Sequence, residues 1–218
     1  MTASGIGRRR ALARKEANPG YVQKRDQMVR AAADLFKEKG FEATTLADIA
    51  QVVGVDRASI YYYVESKDEL LREMVTGVSL GNLEIIKSLR DSDLDPASKI
   101  RVFIESTIRT YHENYPQVFV FIQEDMSKIA PEGNEWSAEM SRQVREFEAE
   151  VDEILRAGVA DGTFRDDLDL RLVAKGLWGM LNWTHRWYRP SPTVSADDLA
   201  GTFTEMFLGG VIARDPSP

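Results

Sequence analysis

Residues Thr44 to Leu70 read TTLADIAQVVGVDRASIYYYVESKDEL, and the spacing of their apolar residues decides the fold. Leu46, Ile49, Ala50 and Val53 recur at i, i+3, i+4 and i+7, which lines one face of a short helix. Thr45 stands before this stripe and Asp48 three places on, the arrangement of a capping box in which each side chain satisfies a backbone N–H that the helix start leaves unpaired. Gly54 ends the helix, because glycine takes up a positive φ at no steric cost. Asp56 is placed to cap a second helix immediately after, so the pair reads as a helix-turn-helix.

On that second helix Ile60 and Val64 share one face above Val55, while Arg57, Ala58, Tyr61 and Tyr62 fall on the other and Tyr63 adds a third ring. An arginine, a small residue and tyrosines turned to water suit a DNA duplex: an arginine fork pairs with a guanine edge, and tyrosine hydroxyls reach phosphates. Arg57, Ala58 and Tyr62 are therefore the candidates for base readout, with Thr45, Tyr61, Tyr63 and Lys67 on phosphates. Ser66-Lys67-Asp68-Glu69 forms a second capping box, opening a long helix. A cation in a first turn opposes the helix dipole by a few tenths of a kcal/mol, a cost that an adjacent phosphate reverses, which is the reason for including Lys67.

At these residues the chain resembles the TetR family of bacterial transcriptional regulators. The resemblance rests on Thr45, Ile49, Ala50, Gly54, Val55, Ile60, Tyr61, Tyr63, Ser66, Lys67 and Leu70; it is specific over Thr44 to Leu70 and one of helical pattern beyond. Two places depart, Asp56 for the usual serine and Val64 for the usual phenylalanine. Aspartate starts a helix as well as serine does, but its charge repels phosphate. The resemblance implies an all-α protein: an N-terminal three-helix DNA-binding head and a helical body whose last two helices form a four-helix bundle between subunits. It also implies that the body binds an apolar ligand that releases DNA.

The chain has 218 residues, 43% hydrophobic and 29% charged, ordinary values for a globular protein. It has no cysteine, which excludes disulfides, a thiol nucleophile and Cys-based metal sites. No apolar run approaches the ~20 residues that span a bilayer, and no signal-peptide pattern opens the chain, so the expected location is the cytoplasm. The net charge of −7 argues against nucleic acid until its distribution is read. Residues 1–70 hold 12 Lys and Arg against 10 Asp and Glu, leaving 16 against 25 for residues 71–218. A slightly basic head joined to an acidic body would orient the molecule on DNA.

Three segments follow from this. Residues 1–20 carry Arg8, Arg9, Arg10, Arg14 and Lys15 with no apolar pattern, and read either as a basic arm along DNA or as a solvated tail. Residues 21–66 form the helix-turn-helix domain, whose first helix, from about Val22 to Lys39, carries Val29, Ala32, Ala33 and Phe36 as its stripe. Residues 67–218 form the ligand-binding and dimerisation domain. Its long first helix links head to body and breaks at the DSDLDP segment after Arg90, and Asp95-Pro96 starts the next in the favoured order of cap then proline. The run VFVFI after Tyr115-Pro116 has strand-like composition but helical neighbours, and is read as helix. From Asn134 to about Gly158 an amphipathic helix places Trp136, Met140, Val144, Phe147, Val151, Ile154 and Leu155 on one side. Helices from about Asp169 to Tyr188 and after Ser195 carry Gly176, Gly179, Gly209 and Gly210, small residues suited to close approach in a homodimer.

Two histidines, His112 and His185, and the absence of any nucleophile, phosphate-loop or zinc motif give no enzyme signature: no catalytic residue, no metal ligand and no cofactor is assigned. The body instead offers aromatic and methionine density. Phe103, Tyr111, Phe119, Ile122 and Met126 are candidates to line an effector site, followed by Met140, Phe147 and Trp178. Taken singly each reads as core packing, and as a group they suit a cavity. The segment NWTHRWYRP adds Trp183 and Arg186, with Trp187 and Arg189, a set of cations and rings suited to the phosphates and adenine of coenzyme A. With the QVFVFIQED and DGTFRDDLD stretches it resembles the TetR subset that senses acyl-CoA thioesters of lipid or steroid catabolism; the alternative for these arginines is pairing with Asp166, Asp167 or Asp197. The expectation is a dimeric repressor on a pseudo-palindromic operator, released by a small apolar effector. Its rivals are a TetR-type efflux repressor sensing a cationic or aromatic drug, a ligand-free architectural DNA binder and an all-helical enzyme.

Overall fold

The computed structural model describes residues 19–123, 135–190 and 193–213. Among them are nine α-helices: α1 Pro19–Lys39, α2 Leu46–Val53, α3 Ile60–Tyr63, α4 Lys67–Arg90, α5 Pro96–Glu113, α6 Tyr115–Gln123, α7 Glu135–Ala160, α8 Leu170–Trp183 and α9 Ala196–Val211, with a 3-10 turn at Thr184–Arg186. No strand occurs among the described residues; the extended contact there is an isolated bridge between Phe164 and Ile212. The all-α reading therefore holds, and VFVFI lies in a helix, α6. The basic stretch before residue 19 lies outside the described residues.

By compactness the chain divides into two units, whose described residues are 19–78 with 116–123, and 79–115 with 135–190 and 193–213. The division falls within α4, between Val78 and Ser79, rather than at its first residue. The physical reason is that the first turns of α4 carry core of the first unit, with Leu70, Leu71 and Val75 fully buried.

In the first unit, α1 packs on α2 and α3. Met28, Ala32, Ala33 and Phe36 of α1 are buried with Ile49 and Ala50 of α2 and Ile60 of α3. Val29, expected in the α1 stripe, is only half-buried, and Met28 holds the deep position.

The second unit is built on α5 and α9, which pack along their lengths. Ile100, Ile104 and Ile108 form the buried face of α5, and Leu199, Ala200, Leu208 and Val211 that of α9. Asp95 caps α5 by accepting from the Ser98 N–H at 2.9 Å, with Pro96 in the first turn. In α7 the buried face differs from the apolar pattern: Gln143 and Glu150 are buried while Val144 is 51% exposed. Glu150 is held there by Arg90 of α4, whose Nη1 donates to both carboxylate oxygens at 2.8 and 2.7 Å, and Lys87 pairs with Glu146 one turn earlier. Two charge pairs from α4 thus hold the polar residues on this side of α7, while Phe147, Val151, Ile154 and Leu155 of the expected stripe are buried as well. At the end of α7, Gly158 meets the ring of Phe164 so closely that a Cβ there would lie 2.2 Å from it, and the Phe164 N–H donates to the Gly158 carbonyl at 2.8 Å.

Candidate nucleic-acid interface and effector site

The helix-turn-helix is held by its caps. Thr45 Oγ1 accepts from the Asp48 N–H at 3.2 Å while the Asp48 carboxylate accepts from the Thr45 N–H at 2.9 Å, completing the expected box. Gly54 follows with φ 71°, and Val55 donates back to the Ala50 carbonyl at 3.0 Å. Asp56 Oδ1 accepts from the N–H groups of Ala58 and Ser59, both at 2.9 Å. Arg57 to Ser59 form the turn of entry, and regular helix begins only at Ile60, so α3 is shorter than the sequence pattern implied. Thr45 hydrogen bonds hold the Asp48 carboxyl below the usual range, and the Ser59 hydroxyl and N–H do the same for Asp56. A depressed carboxylate contributes stability above its unfolded pKa of ~3.9 and loses it as pH falls through the folded value. The helix-turn-helix is accordingly expected to loosen on acidification below that range, read as growing loss of amide protection over residues 45–60 while neutral pH leaves it intact.

Arg57, Ala58 and Thr45 are exposed and Tyr61 is 43% exposed. The Arg57 and Tyr61 side chains have no partner among the described residues, which leaves an arginine fork and a phenol facing outward. Tyr62 and Tyr63 are half-buried. The Tyr63 ring stacks on Tyr21 of α1 with centroids 5.3 Å apart, and Tyr62 meets both edge-on at 5.0 and 5.7 Å. These two rings join α3 to α1 instead of standing free beside Tyr61.

Lys67 also has partners inside the chain. Its Nζ donates to the carbonyls of Phe41 and Glu42 at 2.7 and 3.0 Å and lies 4.4 Å from the centre of the Phe41 ring. The cation thus ties the start of α4 to the turn between α1 and α2, offsetting its poor place in the dipole. Lys67→Ala is expected to lower the melting temperature by a few degrees, through ~1–2 kcal/mol of charge-assisted bonding, as well as weaken DNA binding uniformly. Calorimetry beside a salt titration of DNA affinity separates the two effects. Ser66 keeps half of its expected box, accepting from the Glu69 N–H at 3.1 Å, while the Glu69 carboxylate turns to the Glu65 N–H at 2.7 Å.

In the second unit Phe103 of α5, Phe147 of α7 and Trp178 of α8 pack together, with centroids 5.5, 6.2 and 4.5 Å apart in pairs. Thr107 and Tyr111 continue the Phe103 face of α5 at steps of four, and Gln143 lies one turn before Phe147 on α7. Thr107 Oγ1, Tyr111 Oη and Gln143 Oε1 are buried with no hydrogen-bond partner among the described residues. Burial first, then Tyr115 nearby, pushes the Tyr111 phenol up, so it stays an O–H donor at neutral pH. Each orphaned group costs ~1–3 kcal/mol, so these three invite a partner that the described residues do not supply. Tyr188, 2% exposed, bonds His112 Nδ1 at 2.7 Å and packs 5.9 Å from Tyr111.

The sequence expectations thus separate. Phe103, Tyr111, Phe147 and Trp178 come together, and Met140 is half-buried on α7 before them. Trp183 and Arg186 do not join: Trp183 is 61% exposed with the Arg186 guanidinium 5.3 Å above its ring, and Trp187 is 50% exposed. The side chains of Phe119 and Ile122, and Met126 altogether, lie outside the described residues. Thr107, Gln143 and Tyr188 were missed, although Thr107 and Gln143 carried a signal as polar residues in the register of Phe103 and Phe147. Among the described residues no three His, Asp or Glu side chains are grouped to hold a metal ion, and no helix is long and apolar enough to cross a membrane.

Comparison with known proteins accords with both units. Residues 28–74 match the family model of bacterial regulatory proteins of the tetR family, and residues 93–211 that of the tetracyclin repressor-like C-terminal domain. The HTH-type transcriptional repressor KstR2 of Rhodococcus jostii is 28% identical over 192 residues, 88% of this chain and 93% of that protein. The ketosteroid transcriptional regulator KstR2 of Mycobacterium tuberculosis superposes with a TM-score of 0.80 at 25% identity, covering 87% of this chain and 95% of its own. PfmR of Thermus thermophilus, a TetR family transcriptional regulator, gives a TM-score of 0.75 at 31% identity over 84% of this chain and 97% of its own. These relatives are transcription regulators and not enzymes. The chain belongs to the TetR family of bacterial transcriptional regulators.

Proposed function

We propose that this protein is a dimeric repressor that reads a pseudo-palindromic operator through Arg57, Ala58 and Tyr61 and lets go when a small, mostly apolar effector enters the second unit. The observation that carries the effector reading is the set of orphaned groups Thr107 Oγ1, Tyr111 Oη and Gln143 Oε1 beside the Phe103, Phe147 and Trp178 rings. An apolar molecule with a few oxygen functions would satisfy both parts at once. Similarity to KstR2, named a ketosteroid regulator, supports a steroid or lipid catabolite, and the exposed Trp183, Arg186 and Trp187 support its carriage as a coenzyme A thioester. A cationic drug finds less support, since the buried carboxylate among the described residues, Glu150, is already neutralised by Arg90. Release follows if the effector binds better to a state in which α4, with residues in both units, has shifted.

The dimer reading draws on α8 and α9. Leu172 and Met206 are 71% and 65% exposed, and a Cβ at Gly176, Gly179, Gly209 or Gly210 would meet nothing within 4 Å among the described residues. Among the described residues these glycines serve no close approach within one subunit, which supports approach by a second copy. Gly179→Arg is expected to keep the helical circular dichroism of the wild type while shifting sedimentation from dimer to monomer. A variant that stays dimeric would remove α8 from the interface.

The test of function is fluorescence anisotropy of labelled DNA from upstream of the protein's own gene, at several salt concentrations and then with acyl-CoA thioesters added. Saturable, salt-sensitive binding that a thioester reverses and free coenzyme A does not is the expected result. Binding without reversal keeps the DNA reading and removes the thioester.

A further inference from the structure

Tyr63 closes α3, and its carbonyl oxygen accepts two hydrogen bonds from α1: one from Nη1 of Arg25 and one from the Tyr21 hydroxyl at 3.2 Å. The other edge of the same guanidinium faces α4, where Nε donates to Glu73 at 2.9 Å and Nη2 to Glu69 at 2.9 Å and to Glu73 as well. The Arg25 side chain is 6% exposed, so one buried cation joins three helices of the first unit.

We propose that Arg25 is the positioning residue of the reading element: it sets the angle at which α3 and its entry turn present Arg57, Ala58 and Tyr61, and so governs discrimination between sequences without touching DNA. The inference rests on the reading of α3 as the DNA-reading element. Its physical basis has three parts. With a single turn of regular helix, α3 is too short to fix its own direction, and external bonds at its end must do so. The planar guanidinium satisfies a carbonyl on one edge and two carboxylates on the other in one fixed geometry, which an ammonium on a flexible stem does not reproduce. Glu69 and Glu73 lie four residues apart on α4, on one face, so both pull the same group. Arg25 is buried away from the outward face, and its replacement therefore removes no phosphate contact.

The experiment uses the full chain as wild type, Arg25→Lys and Glu73→Gln. An operator is first selected by the wild type from a random-sequence duplex pool. Affinities for that operator and for a random duplex of equal length are then measured at several salt concentrations, with thermal unfolding alongside. Arg25→Lys is expected to unfold cooperatively and to keep the random-duplex affinity and the salt slope. Its ratio of operator to random affinity should fall by about tenfold or more. Glu73→Gln, which keeps the cation and its bond to Tyr63, should fall in the same direction by less. An unchanged ratio in Arg25→Lys, or an equal loss on both duplexes, overturns the inference. If Arg25→Lys does not fold, Glu73→Gln decides by the same ratio. A wild type that enriches no sequence overturns the DNA reading itself, and the inference with it.

Discussion

Arg57→Ala is expected to lower operator affinity by ~1–3 kcal/mol per half-site, about fivefold to 160-fold, and to erase the preference at one base pair of each. Arg57 is the exposed arginine of the entry turn, and its side chain has no partner among the described residues. Nothing inside the fold is lost with it, so its thermal unfolding should match that of the wild type within about half a kcal/mol. The measurement is anisotropy against operators altered one symmetric pair at a time. Wild type should show a penalty at a guanine that the variant no longer shows, while the salt slope stays put. A variant that keeps every base preference but loses about one unit of salt slope per subunit would make Arg57 a phosphate contact instead, and would move base readout to Tyr61.

Arg90→Ala tests the other unit. Removing the guanidinium leaves Glu150, 8% exposed, without the cation that balances its buried charge. Breaking such a pair from one side costs ~3–5 kcal/mol when both groups are fully buried. Arg90 itself is 32% exposed and also holds Asp91, so solvent softens the loss to a drop of several degrees in melting temperature. The order of effects is the sharper check: Glu150→Leu removes the buried carboxylate instead of stranding it, and should cost less than Arg90→Ala. The reverse order would mean that packing around Glu150, not its charge, holds this side of α7.

The helix ends and the reading turn are legible in the residues alone, because each depends on groups within four places of one another. The Thr45 and Asp48 box, the positive φ at Gly54, the Asp56 cap and the Asp95-Pro96 start all appear where the local rules put them. So does the helix over Tyr115 to Gln123, where neighbours outweighed the strand-like composition. A polar side chain on an outward helix face still finds partners that no local rule names. The Tyr63 ring stacks on Tyr21, and Lys67 bonds the carbonyls of Phe41 and Glu42.

By itself the sequence determined which segments are helices, most of their caps, and that a helix-turn-helix precedes a helical body, since propensity, capping and periodicity act along the chain. Tertiary structure alone decided which polar residues are buried. Arg25 meets Glu73 across 48 residues, Lys67 meets Phe41 across 26 and Arg90 meets Glu150 across 60. A charge enters a core only where folding delivers its counter-charge, and the pairing of distant segments is not written in the residues on either side of it.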